Sequence, residues 1–328
     1  MLRRAVRQGR SRADLLLTSG ISALLMIYLS YALPALLPGD FVTAMHASSE
    51  DVVISAEQLA ELQTYYSRNA GFGNYLLRLI RLDWGYSHAF MAPVSELFFN
   101  ALPWTLLLLV TANVIAASVG FIAGVEAASR RNSRLEKGLV AFSTVLDGIP
   151  EICTGVLLLA VFSLQLGWFP SSGAETAYAE LPLHRWLIDV AHHSALPLLS
   201  LLIAYFPGNF LLTRTSMVMV IRQPHIRTAQ AKGLSAARIR YVHAARCCLL
   251  PLVTRFGMRL AFMVTGALVV ERIHSYPGVG TLLFNAIRLR DLPLIQSVVL
   301  FSSLLVLAAM ICLEFVYAWL DPRVKGGH

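Results

Sequence analysis

Asp147 and Glu151 stand four residues apart, on either side of Pro150, inside an otherwise apolar stretch from Leu139 to Leu166. In one continuous helix that spacing puts both carboxylates on one face, beside a proline kink. Ionisable groups at membrane depth are costly and usually face a bundle interior or a wet cavity. The pair could therefore line a pathway for cationic peptides, polyamines or metal chelates. It could equally be structural, pairing with Arg214 or Arg255 from another span or sitting near a membrane rim, and an ion-driven carrier could use it as a proton relay. A second constellation occupies residues 219–250, which hold six Lys and Arg and no acid. Within it Ala229 and Ala231 precede Gly233, a residue suited to ending a helix in the left-handed conformation, and Ser235 can cap a following helix. Two short helices meeting at a glycine would offer a small-residue face that another surface could approach, flanked by basic side chains. Anionic lipid headgroups would also account for the charge.

Other reactive residues lack a completed site. His184, His192 and His193 fall in one loop without an acidic partner set, and Cys247-Cys248 lacks the spacing of a metal site. Gly278-Val-Gly280 lacks the Lys-Ser/Thr of a phosphate loop and reads as a tight outer turn. No nucleotide cradle, catalytic residue or metal site is expected in this chain.

Only long apolar helices could position these groups. The chain has 328 residues, 56% hydrophobic and 14% charged, with net charge +8 and mean hydropathy +0.63. Soluble domains average about 25% charged residues, so a soluble enzyme is excluded. A span needs about 20 apolar residues, and six runs qualify: Leu15–Leu37, Trp104–Ala127, Leu139–Leu166, Leu196–Val220, Leu252–Val270 and Ile295–Leu320. The first follows five arginines but is too long for a cleaved signal, so it reads as a retained anchor. Segments 1–14, 128–138, 219–250 and 321–328 carry 17 of the 27 Lys and Arg, whereas the longer 38–103, 167–195 and 271–294 together carry seven. The positive-inside rule thus puts both termini in the cytoplasm. The basic excess is topological, and no nucleic-acid partner is needed.

The expected organisation is an all-α membrane protein of six transmembrane helices. It has a cytoplasmic N-terminus (1–14), a first span (15–37), an outer segment with short helices (38–103), a core of five further spans (104–320) and a cytoplasmic tail (321–328). In the outer segment Ser55-Ala-Glu-Gln58 has the pattern of a capping box. Tyr65, Tyr66, Phe72, Tyr75, Leu76 and Leu79 form an amphipathic aromatic strip.

Residues Arg227-Thr228-Ala229-Gln230-Ala231-Lys232-Gly233 resemble the EAA loop of permease subunits of bacterial ABC importers, in the form used by the dipeptide/oligopeptide/nickel branch. That branch commonly has a basic residue where the general motif begins with Glu. The resemblance extends over nearly the whole chain: Pro38-Gly-Asp40, Leu82-Asp-Trp-Gly-Tyr-Ser87, Leu102-Pro-Trp-Thr105, Val269–Gly280, Ala286–Asp291 and Tyr317–Arg323 follow in the family's order. It implies the type I importer permease fold in the bacterial inner membrane. It further implies a second homologous permease subunit, two cytoplasmic ATPases that bind ATP and Mg, and a periplasmic solute-binding protein. This chain itself would hold no cofactor. Residues 227–233 would form the helix coupled to an ATPase. Glu271, Tyr276, Pro277, Gly278 and Gly280 would form the outer hairpin, with Glu271 a packing or hydrogen-bonding residue. The acidic pair near Pro150 departs from the family's usual apolar pattern.

Overall fold

The structure, a computed structural model, describes residues 12–35, 71–81, 83–87, 89–179, 181–261 and 263–320. Arg3, Arg4, Arg7 and Arg10 of the N-terminal basic cluster, the tail 321–328, Ser55–Gln58 and the Tyr65-Tyr66 end of the aromatic strip lie outside the described residues. The helices are α1 (Arg12–Ala35), α2 (Phe72–Ile80), α3 (Val94–Ser129), α4 (Arg134–Asp147), α5 (Glu151–Leu158, continued by π-helical Leu159–Gln165) and α6 (Leu183–Val220). They continue with α7 (Pro224–Ala231), α8 (Ala236–Arg238, followed by π-helical Ile239–Ala244), α9 (Ala245–Ala261), α10 (Met263–Ile273), α11 (Val279–Arg288) and α12 (Leu292–Leu320). A two-residue antiparallel ladder joins β1 (Tyr86–Ser87) to β2 (Ala92–Pro93).

Three of these helices, α3, α6 and α12, are long and apolar enough to cross a membrane, or four if α4 and α5 count as one bent span. The expected third span is not one continuous helix. It breaks at Gly148–Pro150 and turns by 93°, because Pro150 cannot donate to the helical ladder and its ring clashes with the preceding turn. The expected fifth span falls within α9 and α10, whose described residues stop at Ala261 and resume at Met263, and the apolar part described in α1 is the shorter Leu17–Ala32. The second and fourth expected spans prove longer at their N-terminal ends, as α3 begins at Val94 and α6 at Leu183.

The chain falls into two compact units. In the unit formed by Met1–Pro103 and Gly278–Ala308, α2 lays Phe72 and Tyr75 against Tyr31 of α1, with ring centroids 5.5 Å apart in both pairs. Trp84 stacks on Phe301 at 3.6 Å and also meets Phe98 and Phe99. Asp291 is fully buried and fully used. It accepts from Ser87 Oγ (2.5 Å) and the Ala89 N–H (3.3 Å), and caps α12 by accepting from the Leu294 N–H (3.2 Å).

In the unit formed by Trp104–Pro277 and Ala309–His328, α6 is the central element, packed by α4, α5, α9 and α10. Gly120 and Gly124 of α3, spaced as in a small-xxx-small motif, let that helix meet the α6 backbone. A Cβ at Gly120 would lie 3.0 Å from the Phe210 nitrogen, and one at Gly124 would lie 2.9 Å from the Phe210 carbonyl oxygen. No side chain fits between the two backbones. Overpacking of this kind costs about 1–3 kcal/mol, so Gly124→Ile should clearly lower the thermal midpoint of the purified protein. Gly138, with open space around it, is the control: Gly138→Ala should leave the midpoint unchanged or raise it, because helical alanine is favoured by up to about 1 kcal/mol.

Candidate functional site

The acid-free loop folds as a small, firmly seated helix. Pro224 opens α7 after Gln223, and the helix ends where Gly233 adopts φ +69°. The Gly233 N–H donates to the Gln230 carbonyl (2.9 Å) and the Leu234 N–H to that of Ala229 (3.4 Å), an arrangement that satisfies otherwise orphaned carbonyls at the helix end. Ser235 Oγ then accepts from the Arg238 N–H at 3.4 Å and starts α8.

The faces of α7 are distributed differently from the smooth alanine face expected. Ile226 and Ala229 are buried, 1% and 5% exposed, within this chain. Arg227, Thr228, Gln230, Ala231, Lys232 and Gly233 are exposed. Ile226 joins Val125 and Ala128 of α3, Met217 and Val220 of α6, and Ala244, Ala245 and Cys248 in one apolar core. The surface open to a partner is therefore polar and basic, with Ala231 as its small residue. Cys248 is a core residue whose thiol burial pushes up to a pKa of about 11.

Two acids fasten this region to the helix ends. Glu126 of α3 accepts from Arg240 Nη1 and Tyr241 Oη, each at 2.7 Å, and pairs with Arg130 at 3.5 Å. Accepting that bond, Glu126 raises the phenol pKa of Tyr241 above its ordinary value. Glu136, three residues after the N-cap Ser133, accepts from Arg214 Nε (2.9 Å) and Nη2 (2.5 Å) and from the Asn132 N–H (2.5 Å). Arg214 is thus engaged by Glu136 instead of by the Asp147–Glu151 pair.

Those two acids do not share a helical face. Asp147 ends α4 and is exposed, whereas Glu151 opens α5 beyond the bend. The positive end of the α5 dipole favours a carboxylate at Glu151, and the negative end of α4 disfavours one at Asp147. Glu151 Oε1 is buried without a hydrogen-bond partner, as are Arg255 Nε and Arg259 Nη1 of α9. Arg259 lies within electrostatic reach of Glu151, Asp147 and Arg255, and its guanidinium carbon sits 3.8 Å from the centre of the Tyr205 ring. The sequence places Arg255 and Arg259 four residues apart in one apolar run but gives Arg259 and Tyr205 no role there.

At the Glu271–Gly280 segment Glu271 is fully buried and accepts from Thr105 Oγ1 at 2.6 Å. The Tyr276 and Ser194 hydroxyls share a hydrogen bond of 3.0 Å, and Trp104 meets the Tyr276 ring edge-on at 6.0 Å. Ser275 turns the chain at φ +46°. Gly278 precedes α11 and Gly280 lies inside its first turn, so the Gly-Val-Gly sequence opens a helix instead of forming a tight turn. His192 contacts the Trp168 carbonyl (2.9 Å) and His193 pairs with Asp189 (3.4 Å). Among the described residues no group of three or more potential ligands converges on a metal-sized site.

A helical membrane protein with a docked basic loop and charged groups at a broken span has the character of a transporter component. The chain belongs to the family of binding-protein-dependent transport system inner membrane components, whose family model matches residues 116–326. It is 33% identical to the oligopeptide transport system permease protein AppB of Bacillus subtilis (strain 168), over 90% of this chain and 93% of the relative. It is 32% identical to the di/tripeptide transport system permease protein DppB of Pseudomonas aeruginosa (strain UCBPP-PA14), with coverages of 90% and 93%. For the glutathione transport system permease protein GsiC of Escherichia coli (strain K12) the identity is 30% and the coverages are 88% and 90%. The chain is thus a multi-pass permease of the ABC importer class.

His274, beside the hairpin, gives a pH signature. It is 2% exposed, neither ring nitrogen has a described partner, and burial lowers its pKa from 6.5 to about 4. The unfolded chain binds a proton there at higher pH than the folded one, so its contribution to stability is complete above pH 6.5 and is lost as pH falls towards 4. Between those values the thermal midpoint of His274→Gln should fall less steeply with acidification than that of the wild type.

Proposed function

We propose that this chain is one permease subunit of an ATP-driven importer in the bacterial inner membrane, crossing it six times with both termini in the cytoplasm and adopting the type I importer permease fold. A second, homologous permease completes the pathway. A periplasmic solute-binding protein delivers cargo, and two cytoplasmic ATPases bind ATP and Mg and drive the cycle. The chain is not itself an enzyme and needs no cofactor of its own. Similarity to the oligopeptide, di/tripeptide and glutathione permeases AppB, DppB and GsiC favours a short peptide or peptide conjugate as solute over a metal chelate or polyamine. Asp147 and Glu151 belong to the wall of the pathway.

The observation that carries the coupling role is the two-sided character of α7. Its inner face, Ile226 and Ala229, is embedded in a core shared with α3 and α6. Its outer face presents Arg227, Thr228, Gln230, Ala231 and Lys232 with no acid in the loop. A partner that grips the exposed side moves the buried side with it, and thereby the ends of two long helices. Glu126, through Arg240 and Tyr241, ties the following segment to α3.

Gly233→Pro cannot adopt the φ of +69°, and a tryptophan at Ala229 cannot enter the buried core. Both should abolish transport-coupled ATP hydrolysis by the reconstituted complex while the chain still inserts. Gly233→Asn, which tolerates the left-handed region, should retain most of it. Glu126→Gln should lower the ratio of solute imported to ATP hydrolysed several-fold. Full coupling in Gly233→Pro and Ala229→Trp would remove the assignment. Uptake that follows a proton gradient and ignores ATP would establish instead an ion-driven carrier.

A further inference from the structure

The charged groups around the α4–α5 break are an unusual set. Glu151 contributes a carboxylate with one buried, unpartnered oxygen, and Arg255 and Arg259 contribute guanidinium groups with buried, unpartnered nitrogens. The opposite charges are electrostatically coupled, yet no ion pair joins them among the described residues. Elsewhere in this unit the fold closes such pairs, as Glu136–Arg214 and Glu126–Arg240 show. Leaving both signs uncompensated in an apolar surrounding is costly.

Three features hold the groups in their separate places. Glu151 is fixed at the start of α5, where the helix dipole favours its charge and the 93° break keeps the preceding helix away. Arg259 has its guanidinium carbon over the Tyr205 ring at 3.8 Å from the ring centre, a contact that helps hold a guanidinium in place. Arg255 rests its head on the bare backbone of Gly208 in α6, a position any Cβ would take. Gly208 follows Pro207, which removes a ladder bond from α6 at that point. Interrupted helices whose ends face charged groups of a solute are how membrane transporters build sites where irregular backbone is tolerated.

We propose that Glu151, Arg255 and Arg259 form a solute site for a small zwitterion, with the carboxylate of Glu151 receiving a free ammonium group and the two guanidiniums receiving a free carboxylate. The chemical class is an uncapped short peptide, the chain ends serving as the recognised groups whatever the side chains between them. This rests on the importer reading above and goes beyond it by assigning recognition of the solute to this chain as well as to the outer binding protein. The charge arrangement suits a molecule with one charge of each sign better than a polycation, which the two arginines would repel.

The test measures binding of radiolabelled di-, tri- and tetra-alanine, with their N-acetyl and C-terminal amide forms, to the reconstituted complex without the outer binding protein. A charge-assisted hydrogen bond is worth enough that each cap should weaken binding of the best-fitting length about tenfold or more. Glu151→Gln should erase the penalty of N-acetylation and keep that of amidation, and Arg259→Gln should do the reverse. Gly208→Ala, which retains every charge and only displaces the head of Arg255, should reduce the amidation penalty alone. Equal binding of free and capped peptides, or penalties that persist in the variants, would overturn the site. So would loss of the second permease from the Glu151→Gln and Arg259→Gln complexes, because the charges would then be pairing across the subunit contact. ATP-dependent import without end-group discrimination would sink this inference and leave the importer reading intact, whereas failure of any ATP-dependent uptake would sink both.

Discussion

A charge withdrawn from water must be compensated by an opposite charge, a helix end or a set of hydrogen bonds, and the folded chain is arranged around where those compensations are made. Asp291 in one unit and Glu271 in the other are fully buried acids that survive because each is hydrogen-bonded: Asp291 to a hydroxyl and two backbone N–H groups, Glu271 to the Thr105 hydroxyl. Glu136 does the same at the start of α4 with Arg214 from α6. Removing one partner of such a buried pair is costly, because the survivor is left charged and unsolvated. These contacts therefore act as fixed points that position the apolar helices, whose side chains alone give little preference for one rotation over another.

Apolar helices packed in lipid gain no hydrophobic driving force from each other, so close backbone contact and polar links decide their association. Gly120 and Gly124 bring α3 against α6, and the C-terminal ends of the same two helices form the floor on which Ile226 of α7 is seated. Glu126, one turn from the end of α3, reaches across to Arg240 and Tyr241. The small loop helix is consequently attached twice, once by packing and once by ionic contacts. Rigid attachment is what allows a displacement of a few residues to be passed on to helices more than thirty residues long.

Much of this was legible from residue order, and the rest fails for identifiable reasons. The loop helix ending at Gly233 was readable because glycine after small residues has a strong local meaning, and so was the cap at Ser235. Orientation of the Ala229 side was not, since a short helix of alternating small and basic residues gives no periodic signal for which face turns inward. The break between α4 and α5 was signalled by Gly148 and Pro150, but apolar content across 139–166 outweighed them in counting spans, so two acids on separate helices were placed on one face. Glu136 as the partner of Arg214, Asp291 as the acceptor from Ser87, and Arg259 over Tyr205 are set by tertiary contacts across tens to hundreds of residues, which no spacing encodes. The Gly120–Gly124 repeat was present in the sequence and needed only the facing helix to acquire meaning.

The break in the α4–α5 pair coincides with the set of charges the fold leaves open, and the two facts have one physical origin. A continuous span would satisfy its own backbone and carry Asp147 and Glu151 on one stripe, where like charges repel and a single arginine could neutralise either. Bending the chain by 93° separates the two carboxylates and assigns them opposite helix ends, one favourable and one not. It thereby leaves Glu151 at the start of α5 without a permanent partner. A transporter needs this kind of group: one stable enough to persist without cargo, yet still gaining when cargo arrives. A site already closed by an internal salt bridge would have to break that bridge each cycle, and its differential affinity for solute, the only source of a ligand-driven shift between conformations, would be reduced by that cost.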